Sequence, residues 1–255
     1  MRPPRGPLLA ILMSPLEAAY GAAVRARNRR FDRPESVARA PLPVVSVGNL
    51  AAGGTGKTPL VAWIARRLLA AGCRPAVVTR GFGGRAGKGP LVLSDGGGPR
   101  TAWDECGDEP YLLARALPGV AVVVGSDRVA GAAAAAGIGA DVAVLDDGFQ
   151  HRRIARDLDL VLLDARSPLG NGRLLPGGPL REPPSSLARA SALVATRAGG
   201  GDAAAVLEVA RRHAPGVPVF LGSHRFAGFV DARGVETGKP GRAVAFCGVG
   251  DPVPF

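Results

Sequence analysis

At 255 residues the chain can bury a substantial core, and with 47% hydrophobic but only 5% aromatic residues that core must be built largely from Ala, Val and Leu. Its 37 glycines and 23 prolines follow no fixed period, which argues against a collagen-like or low-complexity chain and for many sharp turns. A formal charge of +11 points to an anionic partner (nucleic acid, a membrane surface or a phosphorylated substrate) or to a plain bias toward arginine, while three scattered cysteines without a Cys-x-x-Cys pair argue against a disulfide framework or zinc site and for a reducing compartment.

Residues 1–33 stand apart. The run "GPLLAILM" is too short to span a bilayer, which needs about 20 apolar residues. In "SPLE", Ser14 can cap a helix, Pro15 suits its first position and Glu17 completes a capping box, so a helix is expected to begin there. Leu16, Ala19, Tyr20, Ala23 and Val24 would share one face, and the segment closes in "RARNRRFDR", with five arginines. An apolar tip with a basic end reads as an interfacial membrane element. A helix packed on its own domain and a signal peptide interrupted by Pro15 and Glu17 are the competing readings.

After Pro41 strands and helices alternate. "PVVSVG", "PAVVT", "PLVLS", "VAVVVG", "DVAVLD" and "DLVLLD" read as buried strands, separated by helical stretches such as "TPLVAWIARRLLAAG", "CGDEPYLLARALPG" and "SDRVAGAAAAAG". This pattern predicts an α/β fold with a parallel sheet covered on both faces, and ligands beyond the carboxyl ends of its strands. Residues 166–184, "RSPLGNGRLLPGGPLREPP", form a Pro/Gly/Arg-rich loop that suits a domain boundary. Beyond it "ALVATR", "VPVFLG" and "AVAFCGVG" suggest a second, smaller α/β unit. The expected organisation is an N-terminal membrane-associated helix (1–33), a phosphate-loop domain (34–165) and a second α/β domain (166–255). The last reads as incomplete, because a strand and Gly-rich turn normally feed a helix.

The chemistry begins in "SVGNLAAGGTGKTPL", residues 46–60. A strict phosphate loop would place glycine where Ala51 stands. The strand–loop–helix context is nevertheless right: Gly53, Gly54, Thr55 and Gly56 can turn backbone N–H groups inward, Lys57 can reach the β/γ-phosphates and Thr58 can bind Mg²⁺. A second carboxylate for the metal should end another buried strand. Asp146 and Asp147 in "VAVLDDGFQH" are the better candidates, since adjacent acids need a compensating cation; Asp164 reads as a strand-end cap or hinge. Arg80 and Arg128 end or follow strands, ready for phosphate. In "CGDEP", Asp108 and Glu109 open a helix, where a carboxylate could accept a proton from a hydroxyl nucleophile. Together these describe phosphoryl transfer to an alcohol.

Taken in order, "SVGNLAAGGTGKTP", "TRGFGG", "GDEP", "LDDGFQHR" and "NGRLLPGGPLREP" closely resemble the tetraacyldisaccharide 4′-kinase family. "SPLEAAYGAAVRARNRRFD" resembles that family's N-terminal helix and "AFCGVGDPVPF" its late Gly-rich turn. The resemblance implies a kinase on the cytoplasmic face of the bacterial inner membrane that moves the ATP γ-phosphate to the 4′-hydroxyl of a tetraacylated glucosamine disaccharide 1-phosphate. ATP and Mg²⁺ would be its cofactors and the lipid its partner, with no nucleic acid. The implied fold is a phosphate-loop kinase domain joined to a second α/β/α domain. Lys57 and Thr58 match the nucleotide loop, Asp146 and Asp147 the acidic pair near Mg²⁺, and Gln150 and His151 complete that motif. Asp108 matches the proposed base with Glu109 beside it, Arg80 and Arg128 the phosphate-contacting arginines, and Glu182 lies in a loop implicated in function. Ala51 is a mild departure, since the family commonly has a small or hydroxyl residue there. The family continues several dozen residues further and carries there a histidine that supports the aspartate; neither His213 nor His224 sits in a matching motif. Two other readings compete: a membrane-associated ATPase switch, which leaves "GDEP" and the basic loop without roles, and an ATP-dependent nucleic-acid binder, for which aromatics are few.

Overall fold

The computed structural model describes residues 7–81, 89–199, 203–223, 228–231, 235–239 and 241, with side chains of the first helix from Ser14 onward. Residues 82–84 of the "TRGFGG" motif, His224 and the strand expected within 243–250 lie outside these.

Eight strands form one sheet: β1 (Val44–Asn49), β2 (Pro75–Thr79), β3 (Leu91–Asp95), β4 (Ala121–Val124), β5 (Val142–Asp146), β6 (Leu158–Asp164), β7 (Ala192–Thr196) and β8 (Val219–Leu221). Their order is β3-β4-β2-β5-β1-β6-β7-β8, which puts β1 near the middle with β5 and β6 on either side. Every described pairing in this sheet is parallel except β3 with β4. The expected parallel sheet is thus present, with one antiparallel strand at its edge. β3 lies beyond β4 from β2, and residues 80–90, which join β2 to β3, are too few for the helical crossover that would bring the chain back parallel.

Side chains alternate across the sheet. On one face Val47, Val77, Val122 and Val144 meet Val61, Ile64 and Ala65 of α2 (Lys57–Ala70), and beyond the short α3 (Trp103–Cys106) also Leu113 of α4 (Asp108–Ala116). On the other, Ala76, Val78, Ala121, Val123, Ala143 and Leu145 meet Ala132 and Ala135 of α5 (Arg128–Gly137). Full burial of each such valine is worth about 1.5–3 kcal/mol. With both faces covered, the strands had to be continuous apolar runs, which is how they read in the sequence.

The segment after residue 166 adds β7 and β8 to this same sheet, in register from Leu160↔Ala192 outward, and α6 (Ala203–His213) covers them. The expected boundary therefore does not divide two sheets. Among the described residues only the two-stranded ribbon of β9 (Phe229–Val230) and β10 (Glu236–Thr237) stands outside it.

Helix α1 (Pro7–Arg30) starts well before Ser14 and carries Pro15 inside it, so the expected capping box does not form. Ser14 Oγ instead accepts from Arg173 Nη2 (3.1 Å), and the Glu17 carboxylate takes Arg173 Nε and the Leu174 N–H, both at 2.8 Å. A charged guanidinium is the stronger donor for a carboxylate than a local backbone N–H. The expected apolar face is also turned: Leu16, Ala19 and Ala23 are exposed, while Glu17, Tyr20, Gly21, Val24 and Asn28 point toward the protein. No helix among the described residues is long and apolar enough to cross a membrane.

Candidate active site

β1 feeds the glycine-rich loop, which turns at Gly53 (φ 127°) and Gly56 (φ 85°), where a Cβ would be strained, and opens into α2 at Lys57. Ala51 lies outside that turn. It forms an antiparallel bridge with Leu180, flanked by Ala52 N–H to the Pro179 carbonyl (2.7 Å) and Arg181 N–H to the Leu50 carbonyl (2.9 Å). The loop entrance is thus a short sheet-like clamp made with the proline-rich segment, and a methyl group suits such extended pairing. Asn49, the last residue of β1, donates to the Ala51 carbonyl (2.7 Å) and accepts from Lys57 Nζ (3.1 Å). From the end of β7, Arg197 (φ 59°) pairs with Asp164 and donates to the Gly54 carbonyl at 3.1 Å.

β5 ends in Asp146, and Asp147 makes the turn in a left-handed conformation (φ 54°) that aspartate tolerates. Their environments differ. Asp146 is buried and accepts from Thr79 Oγ1 (3.2 Å); burial, then the charges of Glu109 and Asp147, push its pKa up to about 6. For Asp147 burial acts in the same direction but is outweighed by Arg181 and Lys57, which hold it down to about 2. Arg181 grips it in a two-pronged pair, both bonds 2.8 Å, and Lys57 Nζ lies 3.5 Å from its Oδ1. Arg181 also reaches Asn49 Oδ1.

Across the loop, Gly107 (φ 92°) turns the chain into α4, and the first two residues of that helix are Asp108 and Glu109. Glu109 accepts from the Thr58 hydroxyl, and Asp108 stands exposed beside it, its Oδ1 accepting from the Glu109 N–H (2.9 Å). Arg80 is exposed just past β2. Arg128 is almost wholly buried; burial lowers it to about 10, and its guanidinium donates to the Gly125 and Asp146 carbonyls. Gln150 Nε2 donates to the Asn49 carbonyl (3.0 Å). Burial and the nearby Arg128 push His151 down to about 4, so it is neutral at pH 7. It lines a small cleft with Ser126, Arg128 and Arg153.

The fold thus brings Lys57, Thr58, Glu109, Asp146, Asp147, Gln150 and His151 to the carboxyl ends of β1, β2 and β5. Glu182 sits elsewhere, fully buried and bonded to Arg27, Asn28 and Arg189. Sequence reasoning passed over Asn49, Thr79, Arg181 and Arg197. Asn49, Thr79 and Arg181 lie inside the motifs "SVGNLAAGGTGKTP", "TRGFGG" and "PLREP" and Arg197 at the end of "ALVATR", but what each one touches is set by the fold.

The chain matches the model of the LpxK family, described as tetraacyldisaccharide-1-P 4′-kinase, over residues 9–255. It is similar to the tetraacyldisaccharide 4′-kinases of Anaeromyxobacter dehalogenans (46% identity over 98% of this chain and 69% of the relative) and Geobacter metallireducens (44% over 97% and 73%). A crystal structure of LpxK from Aquifex aeolicus in complex with ATP superposes with a TM-score of 0.76 at 35% identity, covering 90% of this chain and 70% of that one. The chain therefore belongs to the tetraacyldisaccharide 4′-kinase family, ATP-dependent phosphotransferases of lipid A synthesis.

Proposed function

We propose that this chain's own residues perform the family's transfer as follows. Gly53, Gly54, Thr55 and Gly56 offer backbone N–H groups to the ATP phosphates, and Lys57 turns from Asn49 and Asp147 onto the β/γ-phosphates. Asp108 accepts the proton of the acceptor's 4′-hydroxyl as its oxygen bonds to the γ-phosphorus and the bond to the β–γ bridging oxygen breaks, releasing ADP. Arg80 meets the charge on the transferring group. Arg128 and His151 form the wall on that side, with the neutral imidazole as a hydrogen-bonding group.

The observation that carries this reading is the Thr58–Glu109 bond, which ties the first turn of the phosphate-loop helix to the helix that opens with Asp108. The oxygen set also fits Mg²⁺. Thr58 bonds Glu109, and Asp146, raised first by its burial and then by the charges of Glu109 and Asp147, is a carboxylate that a cation would favour in its ionised form. Thr58 and Asp146 would hold it; Asp147, which shares their motif-based expectation, has both oxygens in ion pairs and orients Lys57. When bound, the ion supplies positive charge against the β- and γ-phosphate oxygens.

The reading includes a peripheral position on the cytoplasmic face of the inner membrane, with α1 against anionic headgroups. Its support is a basic end whose Arg25, Arg29 and Arg30 are exposed, with an outward Leu16. A tetraacylated acceptor leaves a bilayer reluctantly, at about 0.8 kcal/mol per buried CH₂, so the enzyme must go to the lipid. Residues 34–165 would supply loop and acids, and those from 166 onward the clamp on the loop entrance.

The test supplies labelled ATP and detergent-dispersed disaccharide phosphate. Label is expected on the lipid with the native chain. Asp108→Ala should lower transfer by roughly 10²–10⁴-fold while ATP binding stays within about twofold; full activity in that variant would remove Asp108 from the role of base.

A further inference from the structure

A helix that only packs on its own domain turns apolar side chains inward. Helix α1 turns Gly21 and Val24 inward and, with them, the polar Glu17, Tyr20 and Asn28, whose side chains bond to the proline-rich segment. Tyr20 Oη donates to the Arg181 carbonyl at 2.9 Å, and Asn28 Nδ2 donates to Glu182 Oε2 at 2.7 Å. Arg27 reaches the other oxygen of Glu182 at 3.3 Å, and Arg189 closes from the far side at 3.0 Å with its guanidinium over the Phe149 ring. Glu182 is 0% exposed, and a carboxylate buried that completely holds its place only while its partners do.

The side chain of the adjacent residue points the opposite way. Arg181 spans Asp147 and Asn49, the same two groups that hold Lys57. Two consecutive residues therefore join α1 to the lysine of the phosphate loop. The backbone of Arg181 is fixed on one side by its N–H to the Leu50 carbonyl and on the other by Tyr20 on its own carbonyl, while Asn28 holds the carboxylate of Glu182.

We propose that Tyr20 and Asn28 are positioning residues of the nucleotide site: by holding the Arg181 carbonyl and the Glu182 carboxylate they keep Arg181 on Asp147 and Asn49, and so set Lys57 for the phosphates. Without them Arg181 loses its lever, and Lys57 is left in the field of an Asp147 no longer shared. This rests on reading Lys57 as the phosphate-binding lysine.

The experiment uses the full chain as Tyr20→Phe, which removes one hydroxyl and keeps the ring, and as Asn28→Ala, with Lys57→Ala alongside. Affinity for a fluorescent ATP analogue with Mg²⁺ is measured directly, and ATP and acceptor KM values with detergent-dispersed lipid. Both α1 variants are expected to weaken nucleotide binding and raise the ATP KM by about fivefold, the effect of one lost hydrogen bond, with the acceptor KM within about twofold. Unchanged nucleotide affinity in Tyr20→Phe, or a rise confined to the acceptor KM, overturns the proposal and leaves α1 as an anchor. Should Asn28→Ala fail to fold, Tyr20→Phe decides alone. Failure of the underlying reading looks different: Lys57→Ala would then bind the analogue as tightly as the native chain.

Discussion

Asp146, the last residue of β5, and His151, five residues on, are displaced from their ordinary protonation ranges in opposite directions, and the consequence is measurable in the nucleotide-free protein. Asp146 sits at about 6 against 3.8 for the free group, so between these values the folded chain binds a proton that the unfolded chain does not, and stability rises as pH falls. His151 sits at about 4 against 6.5, so in that window the unfolded chain binds the extra proton, and stability falls as pH falls. Each slope is at most about 1.4 kcal/mol per pH unit, less for the partly exposed imidazole. The two nearly cancel between pH 6 and 4. Relative to the native chain, His151→Gln should gain thermal stability on going from about pH 6.5 to 4.5, and Asp146→Asn should lose it. Identical pH dependence of the melting midpoint in all three proteins would refute both displacements. Arg181→Lys belongs to the same scale: an ammonium cannot reproduce the two-pronged grip on Asp147, and ATP kcat/KM should fall by roughly tenfold or more.

At the scale of elements, α5 gives two glycines opposite values. A Cβ at Gly131 would meet Val78 Cγ1 at 2.6 Å, so Gly131→Ala should lower stability by about 1–3 kcal/mol through overpacking, in spite of alanine's better helix propensity. At Gly137 nothing lies within 4 Å, and Gly137→Ala should raise stability by about 0.4–1 kcal/mol. Urea midpoints of the two variants check the pair. Ala51→Gly should leave ATP affinity within about twofold and destabilise by about 0.5–1 kcal/mol, because the residue serves the clamp with Leu180 and the turn lies beyond it. These elements also show where sequence reading ends. Strands β1, β2, β4, β5, β6 and β7 were legible because burial on both faces leaves unbroken apolar runs, and Lys57, Thr58, Asp146 and Asp147 because loop and strand end are local patterns. The direction of β3 depends on what it pairs with, which its own five residues do not encode. Ser14 and Glu17 have the letters of a capping box, yet their partners Arg173 and Leu174 are more than 150 positions away. Glu182 was noticed for its motif, but its burial among Arg27, Asn28 and Arg189 is a tertiary fact, and so is the grip of its neighbour on Asp147.

For the whole molecule, α1 carries two faces with separate duties. The inward one meets the proline-rich segment; the outward one carries Arg25, Arg29 and Arg30, all exposed, on a chain whose net charge is +11. Arg27 belongs to the inner face through Glu182 and must be left in place. Each arginine brought near an anionic membrane surface is worth about 1 kcal/mol, so replacing Arg25, Arg29 and Arg30 together with Gln should weaken sedimentation with phosphatidylglycerol-containing vesicles by on the order of 100-fold. On neutral phosphatidylcholine vesicles native chain and variant should behave alike. Raising the salt toward 1 M, where the screening length shrinks from about 10 Å to about 3 Å, should erase most of the difference. ATP affinity in detergent should not move, because none of the three touches the clamp. A variant that still sediments like the native chain would show that the charge lies elsewhere and that the outward face of α1 is not the membrane contact.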